Sequence, residues 1–464
     1  MDRTAETLAD YASGLRYADL TPAAIHAAKR SLIDSIGCAF GAFHAEPSQA
    51  MRKLASEVTA KRPATVIGTQ IRSSPELAAL ANGSMIRYLD FSDDYFGGSG
   101  DIGPHPSDNI CGVMAAAESA GADGRALILG TVIAYEVCAQ LVDKVDHRGV
   151  KPTWDYTVLH AISTSLGAGK VLGLSRPQIQ HALALAAVSN ITLLQTRVGE
   201  LSHWKGLAGP NGSRNGLFAA MLAQAGITGP EDPFEGKAGW MKHLNMPFKL
   251  GALGSGATPF KVEGIFYKYI PIRYSAQLMV WVALELRDKV NVQDIESICV
   301  FVPKRYVSSR ADYPEYWNPT TRETTDHSFP YLIGAALIDG KISERTFTPE
   351  RFRDPAILAL IEKVHMAEDP VFSASFPRSY HCRFEVTTKS GEVVKVQQAN
   401  PKGHPSNPMS DQEMEDKFLQ QADAAMLPRE QSRALLDNLW KLEGQRDLGA
   451  LFPLMLLPRA GSSA

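Results

Sequence analysis

Cysteine is scarce in this chain: five residues in 464, at Cys38, Cys111, Cys138, Cys299 and Cys382, with no C-x-x-C pair. That scatter argues against a zinc or iron–sulfur site and fits reduced, mostly buried thiols in a cytoplasmic protein. Net charge is scarce too. Lys and Arg total 47 against 50 Asp and Glu, a formal charge of −3, so nothing draws the chain to nucleic acid or an anionic membrane. No run reaches the roughly 18 apolar residues that point to a membrane span. The opening MDRTAETLADYASGLRYADL reads as an amphipathic helix without the apolar centre of a signal peptide. Also missing are the Gly-Lys-Ser/Thr ending of a P-loop, a metal-ligand spacing and a Ser/His nucleophile signature. What remains is ordinary globular composition, 45% hydrophobic and 21% charged, long enough for two or three domains.

The first 265 residues read as helix after helix. Thr21-Pro22 is a cap followed by proline at the first helical position, with Ile25, Ala28, Leu32, Ile33 and Ile36 at helical spacing. Ser73-Ser74-Pro75-Glu76 and Ser175-Arg176-Pro177-Gln178 repeat that start signal with a capping-box residue. Alanine-rich stretches with glycine breaks between them predict closely packed, buried helices. The texture changes over residues 252–273, which are rich in Gly, Pro and aromatics and mark a domain crossing. Strands are predicted at 295–302, 380–388 and 392–398, the last two joined by a Lys389-Ser390-Gly391 turn. Helices are expected at 325–339 and 349–364, and three more amphipathic stretches follow residue 410. The fold class is therefore mainly α. A large helical domain built from residues 1–267 and 401–464 carries a smaller α+β domain at 268–400.

Residues 90–110, DFSDDYFGGSGDIGPHPSDNI, concentrate the polar chemistry. Asp90, Asp93 and Asp94 close a helical run, a glycine-rich segment expected to be mobile follows, and His105-Pro106-Ser107-Asp108-Asn109 opens the next apolar run. Carboxylates at a helix end beside an imidazole suit acid/base work. A polar loop capped by Ser107 or Asp108 is the plainer alternative. His160 lies in an apolar helical run, where a histidine is usually a satisfied core residue. Lys205 and Arg214 flank a glycine-rich stretch leading into a helix. Its N–H groups could hold a carboxylate, or its glycines could serve only a turn. His327 and Tyr331, four apart, share one helix face, with Thr325 or Asp326 as the expected cap. Together these groups suit proton abstraction beside a carboxylate and loss of a β-substituent.

The segment LDFSDDYFGGSGDIGPHPSDNI resembles the L-D-F-x-D-T run and H-P-S-D-N of 2-methylcitrate dehydratases. The chain is similar to the wider MmgE/PrpD family at the Leu-His helix around His160, at Lys205 with G-S-R-N-G, at DHSFPYLIGAALIDG and at SGEVVKVQQANPKGHPSNPMSDQEMEDKF. The matches run in order over residues 1–450. The resemblance implies a large all-helical domain of N- and C-terminal parts with a smaller α+β lid, in a cofactor-free cytoplasmic homodimer. It also implies an active-site set of Asp90, His105, His160, Lys205 and Tyr331. In that set the imidazoles transfer protons, Asp90 orients or protonates, Lys205 binds a carboxylate, and Tyr331 binds or donates from the lid.

Two departures from the family pattern bear on the substrate. Asp94 stands where the family has Thr, which adds negative charge where a polycarboxylate would be held. Either Asp94 faces solvent or the substrate carries fewer carboxylates. Ser275 replaces a lid-side histidine, with Arg273 as a possible substitute cation or an exposed side chain. The expected activity is dehydration of a small hydroxy-polycarboxylate such as 2-methylcitrate. Decarboxylation of a cis-aconitate-like acid or epimerisation of a small dicarboxylate is the alternative, and an inactive carboxylate-binding homologue is a third.

Overall fold

A computed structural model describes residues 2–97, 103–144 and 153–458. The expected mobile glycine segment falls largely at 98–102 and so lies outside the described residues, as does the end of the chain from 459. The protein is mainly α. In chain order its helices are α1 (Arg3–Gly14), α2 (Pro22–Gly41), α3 (Glu46–Ser56), α4 (Pro75–Tyr88), α5 (Asp108–Ala120), α6 (Gly124–Lys144), α7 (Val158–Val171), α8 (Arg176–Ser189), α9 (Trp204–Gln224) and α10 (Trp240–His243). They continue as α11 (Tyr274–Arg287), α12 (Pro314–Trp317), α13 (Arg322–Thr325), α14 (Phe329–Asp339), α15 (Pro349–Phe352), α16 (Pro355–Ile361), α17 (Pro370–Ser375), α18 (Asp411–Ala424), α19 (Arg429–Trp440) and α20 (Phe452–Met455). The strands are β1 (Ala64–Thr65), β2 (Arg72–Ser73), β3 (Ile295–Val302), β4 (Val364–Glu368), β5 (His381–Thr388) and β6 (Val393–Ala399).

The chain divides into two compact units. The first comprises Met1–Gln195, Gly206–Phe266 and Ser410–Ala464; the second comprises Thr196–Lys205 and Tyr267–Met409. The sequence-based boundary at 401 thus falls at 410, and a ten-residue piece around 200 joins the second unit. Hydrogen bonds explain that transfer. Glu200 accepts from the Thr321 N–H at 3.0 Å, and Leu201 N–H donates to Thr324 Oγ1 at 3.0 Å.

In the first unit, cap chemistry starts the helices where the sequence predicts. Thr21 accepts from Ala24 N–H at 3.1 Å, and Gln178 closes a capping box on Ser175. At the start of α4, by contrast, Ser74 donates to Glu76 and caps nothing. Glycine lets α6 and α7 touch backbone to backbone: a Cβ on Gly167 would lie 2.5 Å from the Gly130 carbonyl. Helix α6 is, by length and a mean hydropathy of 1.6, apolar enough to cross a membrane, contrary to the expectation that no run qualifies. Its most apolar window is 89% buried, so this apolar surface belongs to the core. Helix α18 packs on α2, the Phe418 backbone against Gly37, which draws the C-terminal segment into the N-terminal unit.

The second unit is built on a sheet of order β4-β3-β5-β6, in which β3 and β4 are parallel and the other pairs antiparallel. Alternate residues Ile298, Val300 and Val302 of β3, and Cys382, Phe384 and Val386 of β5, are buried. Helix α11 packs on β5 and β6, and α14 on α11. Gly391, at φ +85°, makes the hairpin turn between β5 and β6. Two helical expectations need correction. The run 349–364 breaks, because Asp354 caps a new helix at Pro355 and residues 364–368 join the sheet. The run 325–339 breaks too. Ser328, rather than Thr325 or Asp326, accepts from Tyr331 N–H at 3.1 Å and starts α14.

Candidate active site

The site in the first unit begins where α4 ends. Asp90 has φ +52°, a left-handed backbone that costs an aspartate about 1 kcal/mol. Its amide donates to Arg87 O at 3.1 Å, and that turn brings the Asp90 carboxylate back onto the Arg87 side chain. Arg87 Nη1 lies 2.7 Å from Asp90 Oδ1, while Nη2 lies 2.6 Å from His105 Nε2. Arg87 Nε is 3.9 Å from Asp108 Oδ2. Burial by itself would lower the Arg87 pKa. The charges of Asp90, Tyr156 and Asp108 outweigh it and hold the guanidinium well above its usual value. The side chain is a permanent cation.

The imidazoles are oriented by backbone carbonyls. His105 Nδ1 donates to Asp93 O, so the neutral ring presents its Nε2 lone pair to Arg87. His160 Nε2 donates to His105 O at 3.0 Å, which leaves the lone pair of its neutral ring on Nδ1. Asp108 Oδ2 stands 3.8 Å from His160 Nε2, and Asp94 Oδ2 stands 3.8 Å from His105 Nδ1. The Tyr156 ring meets both imidazoles edge-on, with centroids 5.9 and 6.1 Å away. Asp90, His105 and His160 therefore come together. Asp94 joins them: it is 4% exposed and pairs with the Phe266 backbone, so the alternative in which it faces solvent fails.

Asp93 acts beneath this cluster. Its carboxylate accepts from Ser107 N–H at 3.0 Å and from Tyr135 OH at 2.8 Å. Burial pushes its pKa up to about 6, against the lowering by these donors. Ser107 makes no side-chain cap of α5, so the plain capped-loop reading does not describe this segment. Asn109 Oδ1 accepts from both Ser163 and Thr164 hydroxyls at 2.6 Å and ties α5 to α7. Within HPSDN, then, His105 and Asp108 face the cluster, while Ser107 and Asn109 hold the segment in place.

The second unit carries a charged cluster of its own residues. Lys205 Nζ lies 2.8 and 3.1 Å from the two oxygens of Asp326, with both side chains buried. Arg322 Nη1 lies 3.2 Å from Asp326 Oδ2, and His327 Nδ1 bonds to Asp326 Oδ1. Arg322 adds a permanent cation to the partners of this carboxylate. Arg273 is half-buried rather than an exposed side chain. It stacks over Phe329 at 4.5 Å and donates to His327 O at 3.4 Å. Ser275 is buried in α11, and its carbonyl accepts from Tyr380 OH.

Two expectations are overturned. Tyr331 is fully buried, its hydroxyl donates to Thr346 O at 2.6 Å, and burial raises its pKa above the usual value. It anchors α14 within its unit and offers no proton to a ligand. The glycine-rich stretch after Lys205 is not a loop, since α9 runs through it with Pro210 inside. Arg214, half-buried there, donates to Asn215 Oδ1 at 3.0 Å, and the helical N–H groups around it form no loop cradle for an anion. The sequence reading missed Arg87 and Tyr156, and it took Asp108 and Asp326 as caps. An arginine in the apolar run LAALANGSMIRYLD, three residues before Asp90, was the available signal, because a buried charge needs a partner at that spacing.

Comparison with known proteins identifies the family. The chain matches the MmgE/PrpD N-terminal domain over residues 6–251 and the MmgE/PrpD C-terminal domain over residues 271–442. It is 26% identical to cis-aconitate decarboxylase of Homo sapiens over 469 residues, covering 98% of this chain and 94% of the relative. It is 25% identical to 2-methylcitrate dehydratase of Salmonella typhimurium over 404 residues, covering 81% and 79%. With 2-methylcitrate dehydratase of Cupriavidus necator the identity is 26% over 446 residues, covering 87% and 86%. The buried acid and imidazole cluster thus belongs to a protein similar to lyases of small polycarboxylates, and the chain is a member of the MmgE/PrpD family.

Proposed function

We propose that this protein is a cofactor-independent hydro-lyase that removes water from a small hydroxy-polycarboxylate related to 2-methylcitrate, with buried Asp94 favouring fewer carboxylates than methylcitrate carries. One observation carries the reading: two buried imidazoles, each fixed through one nitrogen on a backbone carbonyl, flank one guanidinium and three carboxylates. His105 is assigned as the base. A substrate carboxylate that draws Arg87 off Nε2 uncovers the lone pair, which takes the proton from the carbon next to a carboxylate. The C–H electron pair becomes the C=C bond as the C–O bond breaks. His160, its charged form compensated by Asp108 at 3.8 Å, protonates the departing hydroxide to water. Asp90 orients Arg87 for that carboxylate.

Incubation with 2-methylcitrate, citrate and related hydroxy acids should generate ultraviolet absorbance from a conjugated enoate. No signal with any of them, alongside turnover of another substrate class, overturns the assignment. A second reading is decarboxylation of a cis-aconitate-like acid, favoured by the 98% coverage shared with the human decarboxylase. Buried Asp94 also favours it, since a carboxylate held beside that anion loses charge repulsion on leaving as CO₂. Release of CO₂ from cis-aconitate without net dehydration selects this reading. Solvent deuterium uptake without either product selects epimerisation, and wild-type properties in His160→Ala select an inactive binding homologue. We place the enzyme in a reducing compartment such as the cytoplasm, which the five free thiols fit. We also infer a homodimer, for which exposed Val188, Ile191 and Leu193 offer apolar surface; sedimentation tests it.

A further inference from the structure

Lys417, on the C-terminal helix α18, is a buried cation outside the acid and imidazole cluster. Its ammonium lies 2.6 Å from Asp34 Oδ1 on α2, with side chains 5% and 1% exposed. The same nitrogen donates to the Phe91 carbonyl at 2.8 Å and stands 3.8 Å above the Phe91 ring centroid. Lys417 thus links α2 and α18 to Phe91, the residue that follows the left-handed Asp90. Two residues further on, the Asp93 carbonyl fixes the proton of His105 on Nδ1, and the Asp93 carboxylate holds the Ser107 N–H. A shift at Phe91 therefore moves Asp90 directly and His105 through Asp93.

We infer that Lys417, charge-balanced by Asp34, is a positioning residue that sets the Asp90 turn and the tautomer of His105. The inference rests on the proton-transfer reading of those two residues. Helix packing alone does not require this contact. An apolar pair between α2 and α18 would fill the space, whereas only a donor can bind the Phe91 carbonyl, and only a cation is stabilised over its ring. The C-terminal segment thereby enters the geometry of a turn formed much earlier in the chain, since Lys417 and Phe91 are separated by 326 positions.

The test uses the full chain with Lys417→Met/Asp34→Asn, which removes both charges together and so leaves no unpaired buried ion. Lys417→Arg is the conservative rescue. Histidine side-chain ¹⁵N spectra, assigned with His105→Gln, report the tautomer without any substrate. We expect the protonated Nδ1 signal of His105 in wild type, a mixed or broadened signal in the double variant, and recovery in Lys417→Arg. On active enzyme, kcat should fall about 10- to 100-fold with KM within about threefold, as expected for misplacement of a reacting group. An unchanged His105 signal in a folded double variant overturns the positioning role. A changed signal with wild-type kcat upholds the positioning and rejects instead the catalytic reading of His105.

Discussion

Arg87 Nη2 lies 2.6 Å from His105 Nε2, so the lone pair of this imidazole is directed at a permanent cation. The same guanidinium holds Asp90 through Nη1, and its planar fork serves both partners at once. A lysine keeps the charge but has no fork. Arg87→Lys should therefore slow turnover by about 10²- to 10³-fold, the scale of one preorganised electrostatic contact, while remaining folded. Arg87→Met leaves Asp90 and Asp108 buried without their cation and should cost about 3–5 kcal/mol of stability. Steady-state kinetics and urea unfolding separate the two. Equal turnover in wild type and Arg87→Lys would remove Arg87 from the mechanism.

Asp93 makes the stability depend on pH in a direction opposite to that of most carboxylates. Its folded-state pKa is about 6 against an ordinary 3.8, so the folded protein holds this proton more tightly than the unfolded chain. Below about pH 4 both states are protonated and the contribution is fully present. As pH rises from about 4 to 6 the unfolded chain ionises first and stability falls, by on the order of 3 kcal/mol at about 1.4 kcal/mol per pKa unit. Above that window the loss is constant. Asp93→Asn, whose amide oxygen still accepts from Ser107, should abolish this component. The measurement is the wild-type minus variant difference in unfolding free energy between about pH 4 and 7. A difference independent of pH would show that Asp93 does not titrate there.

Capping chemistry made much of the fold legible. Thr21-Pro22 and Ser175-Arg176-Pro177-Gln178 announce helices through side-chain oxygens that the structure uses as caps. The alternating pattern of 295–302 gives β3 at its observed limits. Strand β4 was hidden because it is short and follows α16 after two residues, with no alternation long enough to separate it from a helix. Glycines near 209 misled for a different reason. They serve close packing, since a Cβ on Gly209 would fall 1.9 Å from Asp108 Oδ2, and none there has a positive φ. In the candidate site, His105 and Asp90 were readable as residue types in a pattern, and His160 through the family resemblance. Arg87 and Asp326 were not, because their roles depend on partners that only folding brings to them.

Tyr331 tests whether a buried phenol can be excluded from the chemistry. Its hydroxyl donates to the buried Thr346 carbonyl, so Tyr331→Phe removes one internal hydrogen bond and leaves an acceptor unsatisfied. The expected loss is about 1–2 kcal/mol in stability, with turnover within about threefold of wild type. Thermal unfolding and initial rates check both. If turnover drops by about two orders of magnitude or more in a folded Tyr331→Phe protein, the phenol returns to the reacting groups.

Lys205 poses the hardest separation of structure from function, because it is ion-paired and buried at once. Asp326 accepts from Lys205, Arg322 and His327, so removing the carboxylate takes a contact from three basic groups, whereas removing Lys205 takes one contact from Asp326. Asp326→Asn should therefore destabilise more than Lys205→Met, the former by about 3–5 kcal/mol. In a double-mutant cycle the pair should couple by about 1–3 kcal/mol. If Lys205 also holds a substrate carboxylate equally in the ground and transition states, KM rises in Lys205→Met with kcat unchanged. If it is only structural, Lys205→Met lowers stability and leaves both constants alone once the unfolded fraction is counted. A folded Lys205→Met enzyme with wild-type KM thus assigns the ammonium to the fold.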